Sequence, residues 1–351
     1  MNPHEHALDY PFGDTLPAPA ERIEVAPGLH WLRMPLPFQL DHINLWLLRD
    51  DFGGDGWTVV DCGIASAEIR ALWERVFETG LDGLPIRRIL CTHTHPDHVG
   101  NAAWLQQRFG APLWMTLGEY ALGRVLSSCL PGADGESAHA HFRRHGVADG
   151  PGLEAIRTRN SRYFASLVPQ MPLSFRRIRA DEPITIGGRR WQVIVGTGHS
   201  PEHASLYCEA DGLLLSGDMV LPRISTNVSV FDIEPESNPV RWYLDSLGAY
   251  AHCREDTLVL PSHGRPFRGV HRRIAQLLEH HAERLALVRQ LCAQRPLSAA
   301  ELVPLMFKRE FDTHQLTFAL GEALAHLHAL WYTDELSRET GADGVVRFAR
   351  N

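Results

Sequence analysis

An α+β fold, with helices packed outside the sheets, is predicted for this chain of 351 residues from three features. Strand-like and helix-like segments alternate between residues 28 and 116, which is typical of a sheet covered by helices. Strand-like segments return between residues 183 and 261, and one pair turns at Asp211-Gly212 as an antiparallel hairpin does. From residue 271 onward the periodicity is helical. The expected parts are an irregular tail (1–20), a main domain (21–270) that contains a helical insertion or lid (117–175), and a small C-terminal helical domain (271–351).

Each element of the main domain follows from residue type and spacing. Short segments rich in branched and aromatic residues are predicted as strands at 28–36, 42–50, 56–63, 86–93 and 111–116, and later at 183–198, 204–218 and 257–264. Apolar residues at helical spacing predict helices over 65–80 and 98–110, which end at Gly80 and Gly110. The insertion has helical segments on either side of a central stretch, 131–150, for which no regular structure is expected. Long insertions of this kind commonly form lids.

The C-terminal segment combines three predicted helices, at 271–293, 298–308 and 313–332, with a hairpin-like piece at 334–350. This order resembles a winged-helix module. Its Arg and Lys residues equal its Asp and Glu residues in number, whereas a winged helix that reads DNA is normally basic. A structural or dimerisation role is therefore favoured, which would make the protein a homodimer. His280 and His281, on a helical face, are interpreted as solvated.

Composition excludes several classes of function. The formal net charge of -8 argues against nucleic acid as the main partner. No apolar run approaches the roughly 18 residues of a membrane span, and the acidic, proline-rich N-terminus does not resemble a secretory signal. The six cysteines form no CxxC pair, which is typical of free thiols in a reducing compartment. A cytoplasmic protein with a small-molecule substrate is expected.

The stretch "CTHTHPDHVGNAAW" concentrates metal-binding residue types. His93 and His95 are two apart in extended chain and can share one cation, whereas Asp97 and His98 follow the bend at Pro96 and can reach a second cation. Imidazole and carboxylate together suit zinc, iron or manganese. Metal-capable residues also end three later strands: His199, Asp218 and His263. Taken singly, His199 is equally a loop histidine and Asp218 a helix cap.

In their order along residues 21–270, the motifs "VVDCG", "THTHPDHVGN", "GTGHSPEHAS", "LSGD" and "PSHG" resemble those of the metallo-β-lactamase superfamily of hydrolases. The resemblance implies an αββα sandwich with two divalent metal ions, zinc in preference to iron or manganese, at one edge. It implies that His93, His95 and His199 hold the first ion, that Asp97, His98 and His263 hold the second, and that Asp218 bridges them. Asp61 would support the ligand loop. His203 is interpreted as a supporting residue rather than a ligand, with a plain structural histidine as the alternative.

Hydrolysis by a hydroxide shared between the two metals is the function that this resemblance implies, with Asp97 and Asp218 as the catalytic carboxylates. The hydroxyacylglutathione hydrolases share all seven ligands, so a thioester or related ester of a small acyl compound is the leading substrate. The alternatives are an endoribonuclease or phosphodiesterase, a persulfide dioxygenase with one iron, and a metal-stabilised scaffold without activity. A lactonase is a further alternative, although Leu221 stands where lactonases usually have tyrosine.

Substrate-binding residues are harder to identify. Arg223, in the loop after Asp218, and Arg265, after His263, are candidates for binding a substrate anion, and a salt-bridged loop arginine is the alternative for each. The insertion, with Tyr120, Tyr163 and Phe164, is expected to close over the metals and shape an apolar acyl pocket.

Overall fold

Two β-sheets lie between layers of helices in the structure, a computed structural model that describes residues 2–160 and 162–351. Tryptophan and aliphatic side chains from both sheets, including Trp31, Trp46, Trp191 and Leu206, form one buried cluster between them. The outer face of each sheet packs against helices in a further cluster. The predicted sandwich of two sheets flanked by helices is confirmed.

The first sheet has seven strands in the order β1 to β7: Arg22–Ala26, Leu29–Pro35, His42–Asp50, Gly56–Val60, Ile86–Leu90, Leu113–Met115 and Arg176–Arg177. Strands β1 to β4 are antiparallel neighbours, and β4 to β7 are parallel. Helices α1 (Ala67–Thr79), α2 (Pro96–Val99) and α3 (Ala102–Phe109) connect the parallel strands and bury apolar residues such as Trp73 against the sheet. Because parallel neighbours end at the same edge, the residues after β4 and β5 lie side by side.

The second sheet has six strands, β8 (Pro183–Ile186), β9 (Arg189–Gly196), β10 (His203–Cys208), β11 (Leu213–Gly217), β12 (Leu258–Pro261) and β13 (Phe267–Arg268), in the order 13-12-11-10-9-8. Only β11 and β12 are parallel among these pairs of described strands. The antiparallel pair β10 and β11 turns at Asp211-Gly212, where the sequence predicts it. Helix α8 (Pro239–Leu247) covers this sheet with Val240 and Tyr243.

The insertion consists of α4 (Leu117–Ser127), α5 (Gly135–Arg144), α6 (Pro151–Asn160) and α7 (Tyr163–Leu167). Residues 131–150 include α5, so the stretch for which the sequence predicts no regular structure is partly helical. Asp134 caps α5 by accepting a hydrogen bond from the backbone N–H of Ser137. Helix α6 packs against the C-terminal domain.

The C-terminal domain contains α9 (Val270–Cys292), α10 (Ala299–Met306), α11 (Thr313–Trp331) and the antiparallel hairpin of β14 (Leu336–Thr340) and β15 (Val346–Arg350). Its apolar residues share one core with the second sheet and α8. His281 lies in the buried part of this packing with no exposed surface, so its interpretation as a solvated residue is wrong. The winged-helix description stays a prediction.

Residues 2–20 contain one short 3-10 turn, Glu5–Ala7, and pack on the second sheet. Leu8 is buried, and the backbone of Asp9 forms a β-bridge with Arg268. Among the helices that the structure describes, none has the length and apolar character needed to cross a bilayer.

Candidate metal centre

The segment that runs from the end of β5 through α2 carries the first four candidate ligands. The five residues "IRRIL" form β5, and Pro96 occupies the first turn of α2, where its missing N–H costs nothing. His93 and His95 therefore lie in the short loop after β5, and Asp97 and His98 lie in α2, at the same edge of the sheet. His199 follows β9, Asp218 follows β11 and His263 follows β12. All three strands belong to the second sheet, so the seven side chains meet where the two sheets face each other.

The first group consists of His93, His95, His199 and Asp218, each of which offers one ligand atom within 4.8 Å of the others. The Nε2 atoms of His93 and His199 are 3.2 Å apart. Nε2 of His199 is 3.4 Å from Oδ2 of Asp218. Three imidazoles and one carboxylate thus point at a common point.

The second group consists of Asp97, His98 and His263. Oδ2 of Asp97 is 3.5 Å from Nε2 of His98 and 3.4 Å from Nε2 of His263. Oδ1 of Asp218, the oxygen not used by the first group, is 3.6 Å and 3.5 Å from the same two nitrogens. The Asp218 carboxylate therefore faces both groups, one oxygen to each.

Hydrogen bonds fix the orientation of four of the histidine rings. Nδ1 of His199 bonds to the carbonyl of Asn227 at 2.8 Å, and Nδ1 of His263 to the carbonyl of His42 at 2.7 Å. Nδ1 of His93 bonds to Oγ1 of Thr92 at 3.0 Å, and Nδ1 of His98 lies 2.8 Å from Oδ2 of Asp61. With each Nδ1 occupied, Nε2 is the nitrogen that faces the centre, as in metal-ligating histidines.

Two atoms of the centre are polar, buried and without a hydrogen-bond partner among the described residues: Nε2 of His98 and Oδ1 of Asp218. Buried polar atoms without partners are rare, because leaving one unsatisfied costs about 1–3 kcal/mol. A cation between the groups would satisfy both. The imidazole and carboxylate donors, with no thiolate among them, fit a divalent metal such as zinc, iron or manganese.

The pKa values of the histidines differ between the two groups. Burial lowers the pKa of His95 to about 3 and that of His93 well below its usual value, so both rings are neutral. Burial also opposes charge on His98, but the carboxylates of Asp97, Asp61 and Asp218 outweigh it and raise its pKa to about 9. The pKa of His263 is raised well above its usual value, against burial, by Asp218 and Asp97. Metal binding at the second group therefore has to displace protons.

Asp61 supports this loop from beneath. Its backbone adopts φ 61°, a left-handed conformation uncommon outside glycine. In that conformation Oδ1 accepts a hydrogen bond from the backbone N–H of Thr92 at 2.8 Å, and Oδ2 contacts Oγ1 of Thr92 at 2.9 Å in addition to His98. The buried carboxylate thus contacts both the loop backbone and the ring of His98, and its supporting role at a metal site stays a prediction.

Replacing Asp61 with asparagine should lower the affinity for metal about 10–100-fold, because an amide cannot hold the His98 ring and the Thr92 hydroxyl with the same charge and geometry. Competition with a chromophoric chelator measures this affinity. Because Asp61 contacts His98 of the second group, affinity at the first group should be less affected. An equal loss of affinity at both groups, or no loss at either, would contradict a role centred on His98.

His203 lies outside both groups. Its Nε2 accepts a hydrogen bond from the backbone N–H of Asp218 at 3.0 Å, and its side chain is fully buried. The ring lies so close to Gly217 that a Cβ there would be 2.3 Å from Nε2. His203 and Gly217 thus set the turn that presents Asp218.

A pair of glutamates that sequence reasoning did not select connects the insertion to two ligand loops. Glu119, at the start of α4, is fully buried and accepts hydrogen bonds from the backbone N–H of Thr94 and of Glu202, both at 2.8 Å. In return, Oε2 of Glu202 accepts from the backbone N–H of Gly118 at 2.7 Å. Burial raises the pKa of Glu119, and these hydrogen bonds partly offset that effect.

The two candidate arginines lie elsewhere. Arg223 pairs with Glu5 at 3.1 Å, and Arg265 bonds to the carbonyl of Gly13 and the carboxylate of Asp14. Both line a surface cavity against the N-terminal segment, whereas a separate cavity of about 430 Å³ includes His95 and His199. Their substrate-binding roles stay predictions.

The aromatic residues of the insertion take separate positions. Tyr120 donates to the carbonyl of Pro172 at 2.8 Å and stacks on Phe175. Phe164 packs against the outer core of the first sheet. Burial, with a smaller contribution from the Asp97 carboxylate, raises the pKa of Tyr163 to about 12, and the ring lies under the guanidinium of Arg159. Tyr163 is thus within electrostatic range of a candidate ligand.

Comparisons with known proteins agree with this geometry. Residues 39–263 match the family model described as "Metallo-beta-lactamase superfamily", and residues 285–351 match "Metallo-beta-lactamase-like, C-terminal domain". A β-lactamase domain protein from Burkholderia ambifaria, whose crystal structure is known, is 58% identical, with a TM-score of 0.94 over 99% of both chains. A metallo-β-lactamase family protein from Thermus thermophilus is 29% identical, with a TM-score of 0.76 over 93% of this chain and 100% of its own. The "Probable metallo-hydrolase YqjP" of Bacillus subtilis (strain 168) is 24% identical over 321 residues, 85% of this chain and 91% of that protein.

Proposed function

The chain belongs to the metallo-β-lactamase superfamily, and from that premise we propose that it hydrolyses a thioester or related ester of a small acyl compound with two divalent metal ions. Zinc is the proposed metal, because it combines strong Lewis acidity with no redox chemistry of its own. The proposed setting is the cytoplasm and the proposed partner a small molecule.

The placement of Asp218 carries this proposal. Its two oxygens face different groups, at 3.4 Å from His199 on one side and 3.5 Å from His263 on the other. A carboxylate that faces two groups of imidazole donors can bind one cation with each oxygen. Its negative charge reduces the repulsion between two cations that lie close together. Two-metal hydrolytic sites have their ions roughly 3.5–4 Å apart.

Two divalent ions at these groups would lower the pKa of a water molecule and polarise the carbonyl under attack. The side chains of this protein supply the rest. Asp218 and the imidazoles would hold both ions, and Asp97 turns Oδ2 to His98 and His263. The other oxygen of Asp97 is proposed to accept the proton of the attacking water and to deliver it to the departing thiolate or alkoxide. The neighbouring histidines outweigh burial and lower the pKa of Asp97 to about 2, so its carboxyl group is ionised and can accept a hydrogen bond from the water.

The experiment that tests the proposal combines metal analysis with a substrate screen. Protein purified without chelators should carry about two divalent ions per chain. The same preparation is assayed against an acyl thioester, a lactone, a phosphodiester and single-stranded RNA. Thioester turnover that disappears after dialysis against a chelator and returns with zinc is the expected result.

Four outcomes would replace the proposal. Cleavage of RNA or the phosphodiester without thioester turnover indicates a nuclease, and lactone turnover alone indicates a lactonase. One tightly held iron with persulfide oxidation indicates a dioxygenase. A metal-loaded protein inactive on all of these would favour a scaffold.

A further inference from the structure

The cavity of about 430 Å³ beside the first group has an apolar wall. It opens directly onto the rings of His95 and His199, so a molecule within it reaches the metal centre. Its walls come from the insertion, from the loops after β9 and β11, and from α8; the apolar members are Leu122, Pro201, Phe231, Ile233, Pro239 and Trp242.

The charge of this cavity is one-sided. None of the described residues that line it is a lysine or an arginine, and apart from the two ligand histidines its only ionisable side chain is Glu234. No described cationic side chain forms an ion pair with Glu234, and partial burial raises the pKa of its carboxyl group. Arg223 and Arg265, the arginines closest in sequence to the ligands Asp218 and His263, are held at the other cavity by Glu5 and Asp14.

Part of the apolar wall is exposed to water. Ile233 keeps 42% and Trp242 38% of its surface exposed, although both border a polar metal centre. Large apolar side chains exposed together at a cavity mouth are typical of a ligand-binding site, since a bound apolar group removes them from water.

We propose that this cavity binds the acyl chain of the substrate, and that it selects an uncharged apolar chain and rejects one that ends in a carboxylate, with Glu234 as the discriminating residue. The inference rests on the proposed hydrolase function and narrows its substrate class. An apolar chain covers Ile233 and Trp242, whereas a terminal carboxylate would be placed near the Glu234 carboxylate without a cation to balance either charge. A terminal ammonium group would be tolerated, because its positive charge is balanced by the Glu234 carboxylate.

The test uses the metal-loaded protein and thioesters of N-acetylcysteamine, a neutral leaving group. The acyl groups are acetyl, hexanoyl, adipoyl and 6-aminohexanoyl.

The kcat/KM for hexanoyl should exceed that for acetyl at least about ten-fold, because each added methylene is removed from water. The adipoyl ester should fall up to about ten-fold below hexanoyl, since its carboxylate lies near the carboxylate of Glu234 and no described cationic side chain lines the cavity. Glu234→Arg should reverse the ratio of adipoyl to hexanoyl, and Trp242→Ala should reduce the ratio of hexanoyl to acetyl.

Glu283→Gln, an exposed glutamate on α9, is the matched control and should leave all ratios unchanged. Hydrolysis of all the esters without dependence on chain length, or with adipoyl preferred, would overturn this inference and leave the hydrolase function in place. If no thioester is cleaved, the hydrolase proposal fails, and calorimetric binding of hexanamide and adipic acid monoamide then decides the inference by itself. Tighter binding of the monoamide would refute it.

Discussion

Replacing Asp218 with asparagine should reduce kcat/KM by more than about a hundred-fold and leave the protein with fewer than two metal ions per chain. Substitution of a residue that only supports a metal ligand typically lowers metal affinity or activity 10–100-fold. Asp218 faces both groups directly, so a larger loss is expected. Asparagine keeps the size of the side chain but removes its charge, and one of its two atoms facing the cations becomes a nitrogen that cannot bind them. Elemental analysis and thioester kinetics on the same preparation measure both effects.

The same substitution has a second readout that does not need bound metal. Asp218 is among the groups that raise the pKa of His98 to about 9 and that of His263 well above its usual value. In the metal-free Asp218→Asn protein both pKa values should fall, and NMR titration of the ring protons follows this directly. Asp245→Asn, an exposed aspartate on α8 that pairs with Arg241, is the control. Wild-type metal content and turnover in the Asp218 variant would contradict the placement of this carboxylate between the two metals.

The sequence predicts the strands and the metal-capable residues that follow them from local pattern, because apolar runs identify the strands. The sandwich and the meeting of seven candidate ligands from two sheets are instead what the family resemblance implies. The structure accordingly brings His199, Asp218 and His263 to the loop of His93. Their roles as ligands stay predictions until metal is measured.

The residues that orient the centre are less visible in the sequence. His199 and His263 are held by the backbone carbonyls of Asn227 and His42, and a carbonyl is the same whatever the residue type. Arg223 and Arg265 face the N-terminal segment, a contact that depends on how residues 2–20 pack and not on local pattern. His281 is buried because α10 and α11 cover α9, and helical spacing alone does not indicate which face is covered.

Glu119 shows how a local signal can point to the wrong partner. "TLGE", at residues 116–119, has the spacing of a capping box, in which Thr116 and Glu119 would satisfy each other's backbone at the start of α4. The Thr116 side chain makes no such cap and instead donates to the carbonyl of Glu202 at 2.7 Å. Glu119 likewise bonds outside its own helix. A motif that normally acts within one helix is used here to join two ligand loops.

Replacing Glu119 with leucine should destabilise the protein by roughly 2–6 kcal/mol, because two buried backbone N–H groups, of Thr94 and Glu202, lose their acceptor. Chemical denaturation measures the free energy of unfolding. Glu119→Gln retains one acceptor oxygen and should cost about half as much. Glu283→Leu, on the exposed face of α9, is the matched control for placing leucine where glutamate stood.

The effect of Glu119 on metal affinity separates a supporting role at the centre from a role in folding alone. Thr94 lies between the candidate ligands His93 and His95, and Glu202 lies between His199 and His203, so the Glu119 carboxylate holds the loops of three of the four residues of the first group. In Glu119→Gln, which should still fold, metal affinity should fall at the first group more than at the second. Competition with a chelator would then show one weakened and one near-normal ion. If the insertion acted only as a lid, both affinities would stay at their wild-type values while kcat/KM changed, because a lid that does not touch the ligand loops cannot alter how they bind a cation.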